Sequence, residues 1–423
     1  MKTIVTCASI AAVGVVGLNA QGMVDPTPAK PFKLSAAVRG FYDSNYTTAS
    51  NNPLPGQPEA RDSWGVNVAP SIALELPKDL TTLRLSYDFD YRYYEDRVDN
   101  EADMTHQIKL SLDHRFSERY KIEVFDSFVI GQEPEVLNPD NTQSTYLRTQ
   151  GDNMRNFGGF GFLMAFSEKW GSRLGYQNTF YDYEESGAGS RSALLDRMEH
   201  LATADVRYQL SPDKVGLLGY QYGYTDQSSS DPLAVGSSLA PSIRNRESHY
   251  AFVGLDQDLS AQLSYKIRAG GQFANYPNAT DDMDDSLAVP YADAILQYRY
   301  AERNQFQFGV KYGLNQTDVA LRNSLDLATT TDATALTVYG GVVHRLLPRL
   351  FATARAQWQL ATFNDGGYDG FEDNYYGGDF NLTYELNRFL SIESGYNYDR
   401  VDSDIGYRTY TRHRGYVGVR GSF

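Results

Sequence analysis

Eight short polar turns recur along the chain at intervals of about 40 to 50 residues, and they constrain its fold more than any other feature. Each turn is flanked on both sides by about a dozen residues in which apolar and polar side chains alternate, and long acidic segments join the far ends of these flanks. Short turns on one side and long loops on the other are typical of an up-and-down antiparallel meander. The turns lie at residues 77–79, 117–119, 167–169, 211–213, 258–260, 302–304, 347–349 and 387–388.

Strict alternation over the flanks indicates β-strands rather than helices. From Thr82 to Tyr93 every odd position is apolar or aromatic and every even position is polar or charged, which only a period of two sorts onto two faces. Alternation is weaker near 120–131 and 247–258, so sixteen strands stay an alternative to eighteen. The predicted strands are 32–44, 62–76, 81–94, 104–116, 120–131, 154–166, 170–183, 198–210, 214–225, 247–258, 261–274, 289–301, 304–315, 333–346, 350–363, 375–386, 389–400 and 408–423.

The N-terminus has the pattern of a secretory signal peptide. Lys2 precedes an apolar and small-residue stretch, and residues 18–20 offer a small-residue cleavage site. A retained membrane helix is the alternative, but the apolar stretch is short and no stop-transfer charges follow. We predict a cleaved signal peptide at 1–20, a short periplasmic segment at 21–31 and a single barrel domain at 32–423. Cys7 is the only cysteine, so the predicted mature chain forms no disulfide.

The composition fits a barrel that crosses a membrane. The mean hydropathy is −0.47, and after the leader no apolar run is long enough for a membrane helix. Only alternate residues of a barrel strand face lipid, however, and the 32 Tyr and 21 Phe suit the boundary between lipid and water. We therefore predict an all-β, transmembrane, antiparallel up-and-down barrel with short periplasmic turns and long extracellular loops. A soluble secreted β-protein is the alternative, and it would expose large apolar patches to water.

Charge is distributed unevenly over the predicted faces. The formal net charge of −15 excludes a generic nucleic-acid partner, which requires a basic surface. When the apolar face of every strand is turned toward lipid, many cations face the lumen and fewer carboxylates do. Such a lining favours anionic solutes. Alternatively these cations pair with neighbouring carboxylates, as Glu393 and Arg414 would, and only fill the wall. The candidate solute path consists of Arg84, Arg92, Lys109, Arg115, Arg207, Arg268, Arg299, Lys311, Arg355, Arg412 and Arg414.

The long loops carry acidic runs, for example at 281–285 and 365–373. None has the spacing of a calcium-binding loop, so solvated loops are favoured over a divalent-cation site. Residues 132–153 and 226–246 are the candidate constrictions of the pore.

Nothing in the sequence indicates catalysis, a metal or a cofactor. The six histidines have no metal-ligand spacing, and no nucleophile elbow or P-loop occurs. Asp113 and His114 point to opposite faces of one strand, so they do not form a catalytic pair. Carbohydrate stacking would need inward aromatic side chains, and Tyr181, Tyr183 and Phe351 are the few candidates.

The signal peptide, the meander with its short Ser, Glu and Pro turns, the Tyr-rich outward faces and the C-terminal Phe423 together resemble outer-membrane porins, specifically the β-barrel porin 2 family. The resemblance covers the predicted mature chain and implies an outer-membrane location and a pore. Phe423 resembles the signal that the barrel-assembly machinery recognises, although Gly421 stands where a bulky residue is commoner.

Together these features predict a passive channel for small or oligomeric solutes, with anions favoured, and with outer-membrane lipids and the assembly machinery as partners. The alternative is a polysaccharide exporter or a non-conducting barrel that attaches a surface polysaccharide. The sequence leaves the solute and the oligomeric state open.

Overall fold

The computed structural model describes residues 31–98, 100–132, 151–323 and 325–423. They form one closed antiparallel barrel of eighteen strands, in which every strand pairs with its neighbours in the chain and β18 pairs with β1. The strands are β1 (Phe32–Asp43), β2 (Ser63–Pro77), β3 (Thr81–Tyr94), β4 (Ala102–Arg115), β5 (Tyr120–Gly131), β6 (Asn153–Ala165), β7 (Trp170–Tyr183), β8 (Arg197–Ser211), β9 (Lys214–Gln227), β10 (Arg246–Asp258), β11 (Leu263–Asn275), β12 (Ser286–Ala301), β13 (Asn304–Asn315), β14 (Asp332–Leu347), β15 (Leu350–Asn364), β16 (Glu372–Glu385), β17 (Leu390–Ser403) and β18 (Tyr410–Ser422).

The first and last strands close the barrel. Their register runs from Ser35 opposite Ser422 to Asp43 opposite Arg414. The final residue extends this ladder, because the Phe423 N–H donates to the Leu34 carbonyl at 2.8 Å. Closure leaves no strand edge unpaired, which is the condition for a sheet to exist in hydrocarbon.

The predicted tight turns connect consecutive strands at one end of the barrel, and their residues explain why they are tight. The Ser167 hydroxyl accepts the N–H groups of Lys169 and Trp170, at 3.3 and 3.1 Å. The Asn387 side chain does the same for the N–H groups of Phe389 and of Leu390, the first residue of β17. Such side chains replace the backbone partners that a short turn lacks.

In the part of the chain that the structure describes, helical structure occurs only at the opposite end of the barrel. One short helix, α1 (Arg191–Leu195), lies between β7 and β8. Single 3₁₀ turns occur at Pro241–Arg244, Gly366–Tyr368 and Gly406–Arg408. Within the described ranges, no helix has the length and apolar character that a membrane crossing requires.

The strand predictions agree closely with the structure. Eighteen strands are present, so the sixteen-strand alternative is wrong, and the two weakly alternating segments form β5 and β10. The largest differences lie at loop-side ends: β12 begins at 286 rather than 289, β16 at 372 rather than 375, and β17 ends at 403 rather than 400. Hairpins continue there beyond the apolar zone, where alternation no longer marks a strand. The predicted signal peptide lies outside the described residues.

All six histidines lie on the outward face, where five of them share a hydrogen bond with a tyrosine hydroxyl. In four hairpins the tyrosine and the histidine occupy diagonal positions on adjacent strands. A polar ring nitrogen on the lipid face requires such a partner. Asp113, by contrast, faces inward. The bonds to histidine Nδ1 are Tyr87–His106 at 2.8 Å, Tyr176–His200 at 2.7 Å, Tyr220–His249 at 2.6 Å, Tyr300–His344 at 2.7 Å, Tyr396–His413 at 2.7 Å and Thr81–His114 at 2.8 Å.

Replacing Tyr220 by Phe tests the value of one such bond. The Tyr220→Phe barrel should lose about 0.5–1 kcal/mol of unfolding free energy, because His249 Nδ1 loses its partner on the lipid face. Tyr222→Phe is the matched control, since the Tyr222 ring packs on His249 at 5.3 Å and makes no hydrogen bond to it. Urea unfolding in lipid vesicles measures both. Equal losses in the two variants would show that the Tyr220 hydroxyl contributes nothing.

Candidate solute path

The eleven cations proposed to line the path all occupy inward positions of the ladder, but most of them are paired. On β3, Arg84 Nε lies 3.0 Å from Glu75, and Arg92 Nε lies 2.9 Å from Asp90. Lys109 on β4 approaches Asp88 at 3.9 Å. These cations are paired with carboxylates of the barrel wall, as expected from the alternative interpretation of the sequence.

A denser set of charges lies on β8, β10 and β11. Arg207 Nε donates to Asp205 at 2.7 Å and its NH1 lies 3.6 Å from Asp256. Arg268 NH2 lies 2.6 Å from the same Asp256. Asp256 therefore links two arginines, on β8 and β11, that are three strands apart. On the neighbouring wall Lys311 lies 4.0 Å from Asp293.

Charges near the seam between β1 and β18 are the most enclosed. Arg412 is 2 % exposed and its Nε donates to Asp43 at 2.9 Å, so its side chain is not open to the lumen. Arg414 instead donates to the Asn397 side chain at 3.4 Å. The predicted pair of Glu393 with Arg414 is wrong, because the register places Gly418 opposite Glu393. Glu393 accepts from Arg39 and Arg420 instead.

Three predicted cations remain. Arg115 and Arg299 lie near the turn end of the barrel, and neither has an ion pair with any described residue. Arg355 on β15 lies opposite Asp379 in the register.

A chamber of about 190 Å³ lies inside the barrel between β5 and β14. Its lining combines charged groups with amide and phenol groups, including Arg173, Lys311, Gln177, Gln272, Tyr250 and Tyr291. The Tyr250 and Tyr291 rings meet edge to face, with centroids 5.4 Å apart. Such a wall offers hydrogen bonds of both kinds to a polar solute. Among these residues only Lys311 belongs to the predicted path. Alternation along a strand shows that a side chain faces inward, but it does not show which inward side chains lie close together.

The few inward aromatic side chains that carbohydrate stacking would need are not available to a ligand. Tyr181 and Tyr183 are buried against Leu195 of α1, and the Arg197 guanidinium lies over the Tyr181 ring at 4.1 Å. Phe351 is buried as well.

The long loops fold over the mouth of the barrel, and the described residues 316–323 and 325–331 of the β13–β14 loop, here called the crossing loop, reach across it. Gln316 on this loop hydrogen-bonds the Gln227 side chain at the end of β9 at 3.3 Å. Apolar side chains cover the crossing, among them Leu233, Ile243, Met283 and Ala320. This loop was not among the predicted constrictions. Its Ala, Leu and Val content was the available signal.

Two buried arginines fasten the crossing loop. Arg244 donates only to backbone carbonyls, those of Leu194, Thr331 and Thr317, and so joins three loops. Burial lowers the pKa of Arg244 to about 10. Arg408 in the β17–β18 loop lies 2.9 Å from Asp318 of the crossing loop.

Arg408 also contacts Asp373 at the start of β16, at 3.1 Å. Burial alone would lower the pKa of Arg408, but these two carboxylates raise it above its ordinary value. The pair of bonds ties the crossing loop to the wall on the β16–β18 side.

The predicted constrictions are reproduced in part. Within the segment 226–246, the 3₁₀ turn Pro241–Arg244 lies in the mouth, and Arg244 is 1 % exposed. Most of the segment 132–153 lies outside the described residues. The acidic loops do approach each other, since the Asp284 N–H donates to Asp365 at 3.0 Å. No group of three metal-ligand side chains is found among the residues that the structure describes.

Comparison with known proteins assigns the family. The family model described as "Putative beta-barrel porin 2" matches residues 32–423. The chain belongs to this family. It is therefore a porin-like channel of the outer membrane. The short turns face the periplasm, and the long loops face the exterior of the cell. No curated protein matches the chain significantly.

Solved structures with a similar fold include outer-membrane proteins of two bacteria. OccAB4 of Acinetobacter baumannii is 11% identical, with 94% of this chain and 100% of that chain covered and a TM-score of 0.43. OpdK of Pseudomonas aeruginosa, solved with vanillate, is 12% identical, with 93% and 99% covered and a TM-score of 0.43. OccK2 of Pseudomonas aeruginosa, in complex with glucuronate, is 14% identical, with 93% and 98% covered and a TM-score of 0.43.

Replacing Arg408 should open the mouth of this porin. In Arg408→Met, Asp318 and Asp373 lose their buried partner, which costs about 3–5 kcal/mol locally and releases the crossing loop. Single-channel conductance should rise and become noisier. Arg400→Met is the control, because the exposed pair of Arg400 with Asp402 stabilises little. A conductance unchanged by Arg408→Met would show that the crossing loop does not restrict the pore.

The β7–β8 loop should become less stable as pH rises. Burial raises the pKa of Asp196 to about 6, and the nearby charge of Asp182 adds to this rise. Hydrogen bonds from the Ser192 hydroxyl and the Tyr183 N–H, together with the charge of Arg197, oppose it in part. Because the folded loop binds the proton more tightly than an open loop does, its stability is greatest below the ordinary pKa of Asp and falls as pH rises through about 6.

Hydrogen exchange over residues 183–196, corrected for intrinsic rates, should therefore show more protection at pH 5 than at pH 7.5. Asp196→Asn should show no such difference. An equal pH dependence in this variant would contradict the assignment to Asp196.

Proposed function

We propose that this outer-membrane porin passes small anionic solutes, and that one cluster of cations gives the lumen its preference. This cation cluster consists of Arg173 on β7, Arg207 on β8, and Lys266 and Arg268 on β11. Arg207 and Arg268 of the predicted path thus meet Arg173 and Lys266 on one side of the lumen, next to the chamber.

The excess of positive charge in the cation cluster is the observation that carries the proposal. Three carboxylates lie opposite its cations in the register, Asp205 opposite Arg173, Asp256 opposite Lys266 and Asp293 opposite Arg268, and a fifth cation, Lys311, also approaches Asp293. Asp205 and Asp256 are already engaged by Arg207 and Arg268. A low-dielectric wall strengthens the remaining positive field along the axis.

Arg173 contributes most directly to this field. Its Nε is buried and has no hydrogen-bond partner among the described residues. The guanidinium as a whole carries a positive charge, which attracts a carboxylate or phosphate solute in the chamber. Arg173 lines the chamber, so a solute there is within its reach.

The folded loops support small solutes rather than polymers. With Arg244 and Arg408 fastening the crossing loop, a chain passing outward would have to displace buried ion pairs. A polysaccharide exporter or attachment barrel is the alternative that experiment must separate from the channel.

We also propose that Phe423 is the recognition signal for the barrel-assembly machinery. Its ring is 67% exposed on the outward face beside Phe389, with centroids 5.8 Å apart, so it is accessible at the end of β18. Phe423 follows β18, the last strand in the chain, which closes the barrel by pairing with β1.

Reversal potentials across planar bilayers in a KCl gradient test anion preference. The wild-type porin should prefer chloride, and Arg173→Gln and Arg268→Gln should each shift the reversal potential toward cations. Arg349→Gln is the control, because this substitution also removes one positive charge, but from a periplasmic turn. No current, or reversal potentials equal in all four proteins, would contradict the proposal. Glycan binding that is lost on loop deletion, without any current, would favour polysaccharide attachment.

A further inference from the structure

A recess in the chamber wall lies on β7, between Arg173 and Gln177. Both side chains face the lumen, and the residue between them on that face, Gly175, has no side chain. A Cβ at position 175 would lie 3.6 Å from its nearest protein atom, which is ordinary contact, so packing does not require glycine here. Glycine inside a strand weakens the strand and often marks a place where a ligand comes close to the backbone. The recess is therefore open to a solute.

The two glycines beside the recess on β6 are instead required by the protein itself. A Cβ at position 161 would lie 3.1 Å from Arg173 NH2, and a Cβ at position 159 would lie 2.4 Å from the Tyr176 carbonyl oxygen. Gly161 pairs with Gly175 in the ladder. The Arg173 guanidinium thus lies against the backbone of β6 at the edge of the recess, and it makes no ion pair or hydrogen bond with any described residue.

The neutral polar groups of the chamber divide into two kinds. Some are engaged within the wall, as where the Gln272 amide donates to the Tyr250 hydroxyl at 2.8 Å. The Gln177 amide and the Tyr291 hydroxyl also line the chamber, but neither makes a hydrogen bond within the described part of the chain. An amide and a phenol each donate and accept, as a solute hydroxyl does. The second kind is therefore available to a hydroxylated solute.

We propose that the recess binds a small carboxylate that carries several hydroxyl groups, such as a sugar acid. The carboxylate lies against the Arg173 guanidinium, whose planar fork suits two parallel hydrogen bonds. The carbon chain passes over Gly175, and its hydroxyls bind the Gln177 amide and the Tyr291 hydroxyl. This inference rests on the proposed passage of anions and adds the chemical class of the anion.

The dimensions of the recess suit a single small molecule. Arg173 and Gln177 are four residues apart on one strand, so their Cα atoms are about 13 Å apart. The chamber volume of about 190 Å³ equals the liquid volume of about six waters. An acid of monosaccharide size fits this space. An alkyl acid also fits, but it would leave Gln177 and Tyr291 without partners and would lose their water.

Block of the chloride current by three solutes with equal carbon chains tests the proposed class. Gluconate carries both kinds of group, hexanoate lacks the hydroxyls, and sorbitol lacks the carboxylate. Each is added on the loop side of the wild-type porin in a planar bilayer in KCl. Gluconate should halve the current at a concentration about tenfold lower than either of the others, because each of them loses one part of the hydrogen bonding.

Filling the recess tests its position. Gly175→Ala should raise the half-blocking concentration of gluconate about tenfold, because the added methyl group occupies the place of the carbon chain. Urea unfolding should show no loss of stability, since alanine costs a strand less than glycine does. Gly223→Ala is the matched control. Gly223 also faces inward, its Cβ would likewise have 3.6 Å of room, and it lies outside the lining of the chamber.

Two further variants remove single hydrogen bonds without changing charge. Gln177→Met and Tyr291→Phe should each weaken the block by gluconate about threefold to tenfold, the range for one lost hydrogen bond. Block by hexanoate should stay as in the wild type, because hexanoate has no hydroxyl for either group. A general distortion of the lumen would change the block by both solutes, and that result would contradict the assigned contacts.

Equal block by gluconate and hexanoate, or a Gly175→Ala porin that gluconate blocks as well as the wild type, would overturn the inference. The substitutions at 175, 177 and 291 are neutral, so the reversal potentials in a KCl gradient should not change with them. A wild-type porin without chloride preference would overturn the proposed passage of anions whatever the block. The two proposals therefore fail on different measurements.

Discussion

Hydrogen bonding of the backbone in hydrocarbon is the constraint on which this structure depends. A strand edge in lipid would leave a row of N–H and C=O groups without partners, so the sheet must close on itself. The pairing of β1 with β18 meets this condition and includes the last residue, Phe423. Closure also fixes which face of every strand points to lipid, because paired residues on adjacent strands point to the same side of the sheet all the way around the barrel. The separation of lipid-facing from lumen-facing side chains follows from that single seam.

Inside the barrel the same low dielectric makes isolated charges unfavourable. The wall responds by pairing most of its cations, and pairing reduces the field that a solute experiences. Arg412 with Asp43 is the extreme case, since both side chains are enclosed and their charges cancel within the wall. The cation cluster differs because Asp256 is shared between Arg207 and Arg268. Sharing one carboxylate between two cations leaves positive charge that the wall does not cancel, and the proposed anion preference therefore depends on the ratio of charges in this cluster rather than on the total number of cations.

The sequence predicts the barrel well because the relevant signals are local. Turn residues and period-two alternation lie within single hairpins, which is why eighteen strands and their faces follow from them. Contacts between distant strands are a different matter. The register of β17 and β18 separates Glu393 from Arg414, and nothing local reveals that shift. The destination of the 316–331 loop depends on Arg244 and Arg408, which come from two other loops. Contacts between residues that are distant in the chain therefore do not follow from these local signals.

The outward face shows how a polar group is tolerated next to lipid. Where Tyr220 meets His249, donor and acceptor lie in the same hairpin and each satisfies the other. Asp126 uses the same diagonal geometry with Asn156, but a carboxylate has more acceptor positions than one amide can fill. A tyrosine and histidine pair is thus complete within one chain, whereas an aspartate and asparagine pair is not. This difference in hydrogen-bonding capacity, rather than polarity alone, distinguishes Asp126 from the histidines of the lipid-facing surface.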